Sequence, residues 1–223
     1  MYDTNICIIL VLCNTKYLVF YLINTIIYSH LINKAPRERI TYKRKMYLCG
    51  KSINTTTMLT IRKATTADCE LIHKLAWQIF PETYKDILSP EQNDYMMEWM
   101  YSIENIRKQM EEEGHVYFIG YKDKEVCGYV SVQQQGEDLF HLQKIYVLPS
   151  FQGSHCGSFL FHEAVKYIKE VHPGPCLMEL NVNRNNKALN FYERMGMKKL
   201  REGDFPIGNG YYMNDFIMGL EIN

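Results

Sequence analysis

The stretch His141 to Leu160, HLQKIYVLPSFQGSHCGSFL, limits what this chain can fold into more than any other. Leu142, Ile145, Val147 and Leu148 make an apolar run, rich in β-branched residues, that fits a buried strand. Pro149-Ser150 breaks it. A turn containing Gly153 and Gly157 follows, and Leu160, Ala164, Val165, Ile168 and Val171 then recur at the spacing of one helix face. The unit is strand, glycine-containing turn, helix. The first turn of a helix has N–H groups without intrahelical partners and the positive end of the macrodipole, so a small-residue turn there can hold a phosphate. A tight turn that packs helix against strand uses the same two glycines, and the local pattern leaves both readings open.

A second stretch, Leu177 to Met197, repeats the plan: a strand from Leu177 to Val182, then a short helix from about Asn186 to Met195 closed by Gly196. Gln152 and Gly157 fit the ends of the pattern Gln/Arg-x-x-Gly-x-Gly/Ala, and Asn185, Ala188 and Tyr192 fit Asn-x-x-Ala-x-x-x-Tyr. With both patterns in order, the chain resembles the GNAT superfamily of acyl-CoA-dependent N-acetyltransferases from Leu59 to Ile222. The resemblance implies an α/β (α+β) fold. Its sheet would be mixed and mostly antiparallel, with about six to seven strands parted between the fourth and fifth and flanked by about four helices. Acetyl-CoA would be the acyl donor. One departure matters: His155 holds the middle small position of the first pattern, where glycine normally lets backbone approach a pyrophosphate. Cys156, in the same turn, reads as a small filler, with a thiol of lowered pKa as the alternative.

Charge and cysteine usage narrow the class. Lys+Arg and Asp+Glu balance at 25 each, which gives no bias toward polyanions and argues against nucleic-acid binding. Seven cysteines, an odd number with no C-x-x-C pair, point to reduced thiols, a cytoplasmic protein and no metal site.

Residues 1–57 read differently from the rest. Ile6 to Ile32 is densely apolar but broken by Asn14, Thr15, Lys16, Asn24, Thr25, Ser29 and His30, whereas a spanning helix wants about 20 mostly apolar residues. The basic run Arg37 to Lys45 would suit a cytoplasmic flank. A marginal membrane anchor, a buried or partner-binding appendage, and an upstream extension outside the working protein are all open. The bias to Ile, Asn, Tyr and Lys, residues with A/T-rich codons, favours the extension. Residues 58–223 are then the acetyltransferase-like domain, a comfortable single-domain length.

Within that domain Leu59 and Ile61 alternate with polar residues as a strand, and Thr66 or Asp68 can cap a helix striped by Leu71, Ile72, Leu75, Ala76 and Ile79. The pattern stops at Phe80-Pro81-Glu82-Thr83-Tyr84. Ser89-Pro90-Glu91 opens a second helical region toward Glu113, with a break near Ser102. A hairpin over 116–132 turns at Lys122-Asp123-Lys124, and a short strand Met197 to Leu200 precedes a glycine-rich loop, Gly203 to Gly210, and a last strand. The resemblance makes the loop after the first helix part of the acceptor site, so Phe80, Glu82 and Tyr84 are candidate substrate contacts, with core aromatics beside a solvated acid as the alternative.

The implied chemistry needs an uncharged amine. An alkyl amine with pKa near 10.4 costs about 4.6 kcal/mol to present uncharged at pH 7, so a base must take its proton. Period two puts His141, Gln143, Ile145 and Val147 on one strand face. By the resemblance His141 is the first candidate base, with Glu137 the second. Tyr192 matches the family's general acid toward the departing sulfur. Proton transfer from a phenol to a thiolate is uphill by about 2 kcal/mol, so hydrogen bonding to the developing thiolate would carry most of that role. The pantetheine arm would lie along backbone of Ile145, Tyr146 and Val147, Asn181 and Asn185 would add side-chain amides, and turn amides of Gln152, Gly153, Ser154, His155, Cys156, Gly157 and Ser158 would take the pyrophosphate.

The expected function is acetyl transfer to a small amine; the first loop, FPETY, and the tail, YYMNDFIMGLEI, resemble a branch that includes polyamine acetyltransferases, and Glu82, Asp86 and Glu91 could attract a polycation or be ordinary solvated acids. Three other readings remain: acetylation of a protein N-terminus or lysine, a non-catalytic acyl-CoA sensor, and a membrane-anchored interaction protein that depends on residues 1–57. A homodimer is compatible with the sequence.

Overall fold

In the computed structural model, which describes residues 58–223, local sequence signals set most element ends. The chain runs β1 (Leu59–Lys63), α1 (Cys69–Tyr84), α2 (Pro90–Tyr101), α3 (Ile103–Glu111), β2 (His115–Lys122), β3 (Glu125–Gln134), β4 (Leu139–Val147), α4 (Cys156–Val171), β5 (Cys176–Asn183), α5 (Leu189–Arg194), β6 (Lys198–Gly208) and β7 (Tyr211–Ile222). The readings of residues 1–57 lie outside the described residues. Thr65, one residue before the expected cap, forms a capping box with Asp68, whose carboxylate also pairs with Arg62 at 2.6 Å. Ser89 caps α2 with Pro90 at its first position, and Ser102 closes α2 and caps α3. Among the described residues no helix is long and apolar enough to cross a membrane.

Two expectations are corrected. Helix α1 does not stop at Phe80; it carries Pro81 within it and ends at Tyr84, whose ring stacks on Phe80 at 4.4 Å. Proline removes one N–H and crowds the carbonyl four residues back, and packing of the flanking aromatic rings carries the helix through it. The expected loop from Gly203 to Gly210 is instead the far half of an 11-residue strand paired with β7. Register shifts at Lys199/Arg201 and Pro206/Gly208 absorb the residues that cannot sit in a regular ladder, and Asn209-Gly210, at φ 52° and 78°, makes the tight turn.

The seven strands form one sheet in the order β1-β2-β3-β4-β5-β7-β6, antiparallel except where β4 meets β5. That parallel pairing covers only Leu139–His141 against Leu177–Glu179, after which the two strands part. A third correction concerns β4. Ser131 pairs with Lys144 but Val132 pairs with Leu142, so Gln143 is an extra residue and the strand bulges there. Side-chain parity flips at the bulge. Phe140 and Leu142 before it, and Ile145 and Val147 after it, all pack in the aliphatic core shared with α4 and α5. His141 therefore does not share a face with Ile145 and Val147. Lys144 and Tyr146 instead join the opposite face, under α1 to α3, with Tyr101, Tyr117 and Tyr129.

Candidate active site

Where β4 and β5 part, a cleft of about 1050 Å³ opens. Its floor is the edge of β4 from Leu142 to Val147, which has no ladder partner from β5 and so presents main-chain hydrogen-bonding groups to an extended ligand. Ile145, Tyr146 and Val147 all line it, and Leu180, Asn181 and Val182 of β5 form the facing wall.

The turn into α4 sits at one end of this cleft. Gly153 has φ 73°, and His155 takes the helix N-cap in the left-handed region at φ 65°. A left-handed non-glycine residue costs on the order of 1 kcal/mol or more, so the turn keeps the shape glycine would give it, at some cost. The first intrahelical bond runs from Phe159 N to the carbonyl of His155, which leaves the N–H groups of Cys156, Gly157 and Ser158 without intrahelical acceptors. Gln152, Gly153, His155, Gly157 and Ser158 line the cleft. Ser154 and Cys156 do not: the Ser154 hydroxyl donates to the carbonyl of Phe151 at 2.5 Å, and the Cys156 thiol is buried 3.4 Å from it. A side chain at Gly157 would meet the ring of Phe191 at 3.5 Å.

The second pattern supplies the other wall. Asn183 and Asn186 side chains accept from the backbone of Asn185 and Ala188, which winds the loop into α5. Asn185, Ala188 and Tyr192 then all reach the cleft. Tyr192 is mostly buried, and burial pushes its phenol well above the ordinary tyrosine value, so it is protonated at neutral pH. Asn181 lines the wall and donates to Asp215 at 3.3 Å.

At the end bounded by α1, Glu82 and Tyr84 line the cleft, together with Asp86 of the following loop. Phe80 is core, 1% exposed, with its ring 6.3 Å from that of Tyr146. Neither candidate base is brought to the cleft. Glu137 lies in the polar turn before β4, at the end where β4 and β5 are still joined, with its carbonyl accepting from Gln134. His141 faces the tyrosine side beside Glu179, and burial pulls its imidazole down to about 4.

Sequence reasoning missed Lys144. It lines the cleft, is 5% exposed, and burial pulls its ammonium down to about 7. The available signal was a lysine set directly before the apolar run Ile145-Tyr146-Val147. Asp215 was also missed: it is buried with one carboxylate oxygen unpartnered, and burial raises its pKa. Among the described residues no group of three or more His, Cys, Asp or Glu is arranged to hold a metal ion.

Comparison with known proteins agrees with this geometry. Residues 84–206 match the acetyltransferase (GNAT) domain family. An uncharacterised N-acetyltransferase of Mycobacterium tuberculosis is 22% identical over 156 residues, 70% of this chain and 98% of that protein. The PaiA N-acetyltransferase of Thermoplasma acidophilum, solved with coenzyme A, superposes with a TM-score of 0.60 at 23% identity, covering 73% of this chain and 98% of that one. A variant of the spermidine N-acetyltransferase SpeG of Vibrio cholerae gives 0.53 at 20% identity, covering 73% and 93%.

Proposed function

This chain belongs to the GNAT acetyltransferase domain family, and we propose that it moves the acetyl group of acetyl-CoA onto the amine of a small molecule by direct attack. One observation carries the reading: the strands carrying the two sequence patterns part after His141 and Glu179, and residues of both patterns line the gap. Bound acetyl-CoA supplies an acyl group activated as a thioester. The unpartnered edge of β4 suits an amide-containing pantetheine arm, and the free amides of Cys156 to Ser158 suit its diphosphate. Tyr192 offers a protonated phenol to the departing sulfur. Glu82 and Asp86, on the cleft wall near α1, make a polyamine the first acceptor to try. Reduced, buried thiols at Cys69, Cys127, Cys156 and Cys176 support a cytoplasmic location.

The test is free-thiol release from acetyl-CoA across a panel of polyamines, aryl amines, amino acids and short peptides. Turnover confined to small amines supports the reading. Turnover with peptides alone, or acetyl-CoA binding without turnover on any amine, would replace it with a protein acetyltransferase or a cofactor sensor.

A further inference from the structure

We propose that Lys144 is the proton acceptor for the incoming amine, the part for which His141 and Glu137 were the sequence candidates. The inference rests on the acetyl-transfer reading above. It starts from the bulge at Gln143, which turns Lys144 out of the aliphatic core and onto the tyrosine-lined face at the point where β4 loses its β5 partner. Its Nζ sits 5.6 Å from the ring centroids of both Tyr101 and Tyr117.

A lysine kept permanently charged in such a place needs a carboxylate. Among the described residues Lys144 has no ion-pair partner: Glu113, the acid that acts on it through space, is half-exposed and pairs with Lys108 at 3.6 Å and with His115 at 3.8 Å. The remaining charged or titratable groups facing it are His115 on β2, His141 on β4, Tyr101 at the end of α2 and Tyr117 on β2. Burial keeps both histidines and both phenols neutral, so none of them supplies a counter-charge. Attraction to the two ring faces offsets part of the cost of a buried ammonium, and the balance still favours a free amine with a lone pair.

A second, independent observation points the same way. Ser131 pairs across the ladder with Lys144, and Tyr129 pairs with Tyr146 on the same face. Ser131 and Tyr129 are both fully buried, and neither hydroxyl makes a well-aligned hydrogen bond; each is engaged only loosely by a neighbouring phenol, Tyr117 and Tyr101 respectively. Cross-strand neighbours stand about 5 Å apart at Cβ, so the Ser131 hydroxyl is beside the Lys144 stem. Two buried hydroxyls so weakly bonded are costly, and each keeps capacity for a further hydrogen bond. An acceptor's ammonium, or the water that carries its proton, takes up that capacity.

The step balances as follows. Lys144 Nζ takes one proton from R–NH3+, and the freed nitrogen lone pair forms the N–C bond as the C–S bond breaks. The sulfur leaves with that electron pair and gains the amine's second proton with the help of Tyr192. Lys144 then returns its proton to solvent. With Lys144 uncharged above pH 7, a cationic acceptor also enters without repulsion.

Two measurements test this. Reductive 13C-methylation of lysines in the full chain, with Lys144→Arg identifying the resonance, should show Lys144 titrating close to pH 7. A midpoint near that of free lysine overturns the proposal. On the amine that turns over fastest, kcat/KM should fall below pH 7 in the wild type. Lys144→Met should lose at least 100-fold and that acid limb, while acetyl-CoA affinity stays within twofold. Lys144→Arg, which keeps a cation but cannot deprotonate, should not recover activity. Recovery by arginine, or an unchanged profile in Lys144→Met, overturns the base role alone. A wild type inactive with every amine overturns the acetyl-transfer reading and the base role with it.

Discussion

The two faces of the sheet are built from different materials. Against α4 and α5 lies an aliphatic core of Val130, Val132, Leu142, Leu160, Ala164, Ile168, Met178, Leu180 and Val182. Against α1 to α3 lies a core that includes Tyr84, Tyr101, Tyr117 and Tyr129, with Ser131, Gln109 and Lys144 buried among them. The Tyr117 hydroxyl donates to Gln109 at 2.5 Å, and those of Tyr129 and Ser131 are only loosely bonded to neighbouring phenols. Hydrocarbon packing is the cheaper way to hold a sheet and a helix together, because each buried polar group must be matched or it costs free energy. A face that keeps so many polar groups at that cost is organised around something other than cohesion. Both faces reach the cleft, the aliphatic one through Leu142, Ile145, Val147 and Leu180 and this one through Tyr84, Lys144 and Tyr146.

Mutagenesis can break this contrast or sharpen it. The largest loss should come from the aliphatic face: Leu160→Ala, at a residue with no exposure, should cost about 2–5 kcal/mol in urea unfolding. A smaller loss would mean that this face is no better packed than the other. Lys144→Met should do the opposite and stabilise. The folded-state pKa near 7 is below the unfolded value near 10.5, so the unfolded chain binds more protons between those limits and wild-type stability rises with pH across that window. The burial cost is then complete below pH 7. The methionine variant should gain about 2–4 kcal/mol at pH 6–7, and the gain should vanish above about pH 10.5.

Tyr192 is a buried phenol that packs with the aliphatic side. Tyr192→Phe should lower turnover about 10- to 100-fold while acetyl-CoA affinity, by calorimetry, stays within about twofold. Equal losses in both would assign the ring to packing. The smallest effect should be Tyr129→Phe, which deletes a buried hydroxyl that makes no well-aligned hydrogen bond: unfolding free energy should change by less than about 1 kcal/mol, in either direction.

How far the sequence could be read follows from which interactions are local. Caps, the Pro90 start, the Asp123-Lys124 turn and the order of elements depend on residues within a few positions of each other, and these were legible. So was the meeting of Gln152, Gly157, Asn185 and Tyr192 at one cleft, because two spaced patterns agreed. What failed depended on partners far away in the chain. Pro81 stays helical because Phe80 stacks on Tyr84 and packs against Tyr101 and Tyr146, and β6 extends past Gly203 because β7 is there to pair with it. Asn209-Gly210 was a hairpin signal in plain view, obscured by the glycines around it. His141 does not share the face of Ile145 and Val147 because period-two counting assumes a regular ladder, and β4 is not regular at Gln143.

That one inserted residue has an evolutionary corollary. A deletion there would leave composition and hydropathy almost untouched, yet would swing the amine of residue 144 in among leucines and valines and send the neighbouring isoleucine toward the acceptor. Point substitutions can adjust reactivity in this cleft by degrees, whereas a shift in length by one position would exchange its chemistry wholesale, so variation among relatives in that loop of main chain is where new acceptors should be sought.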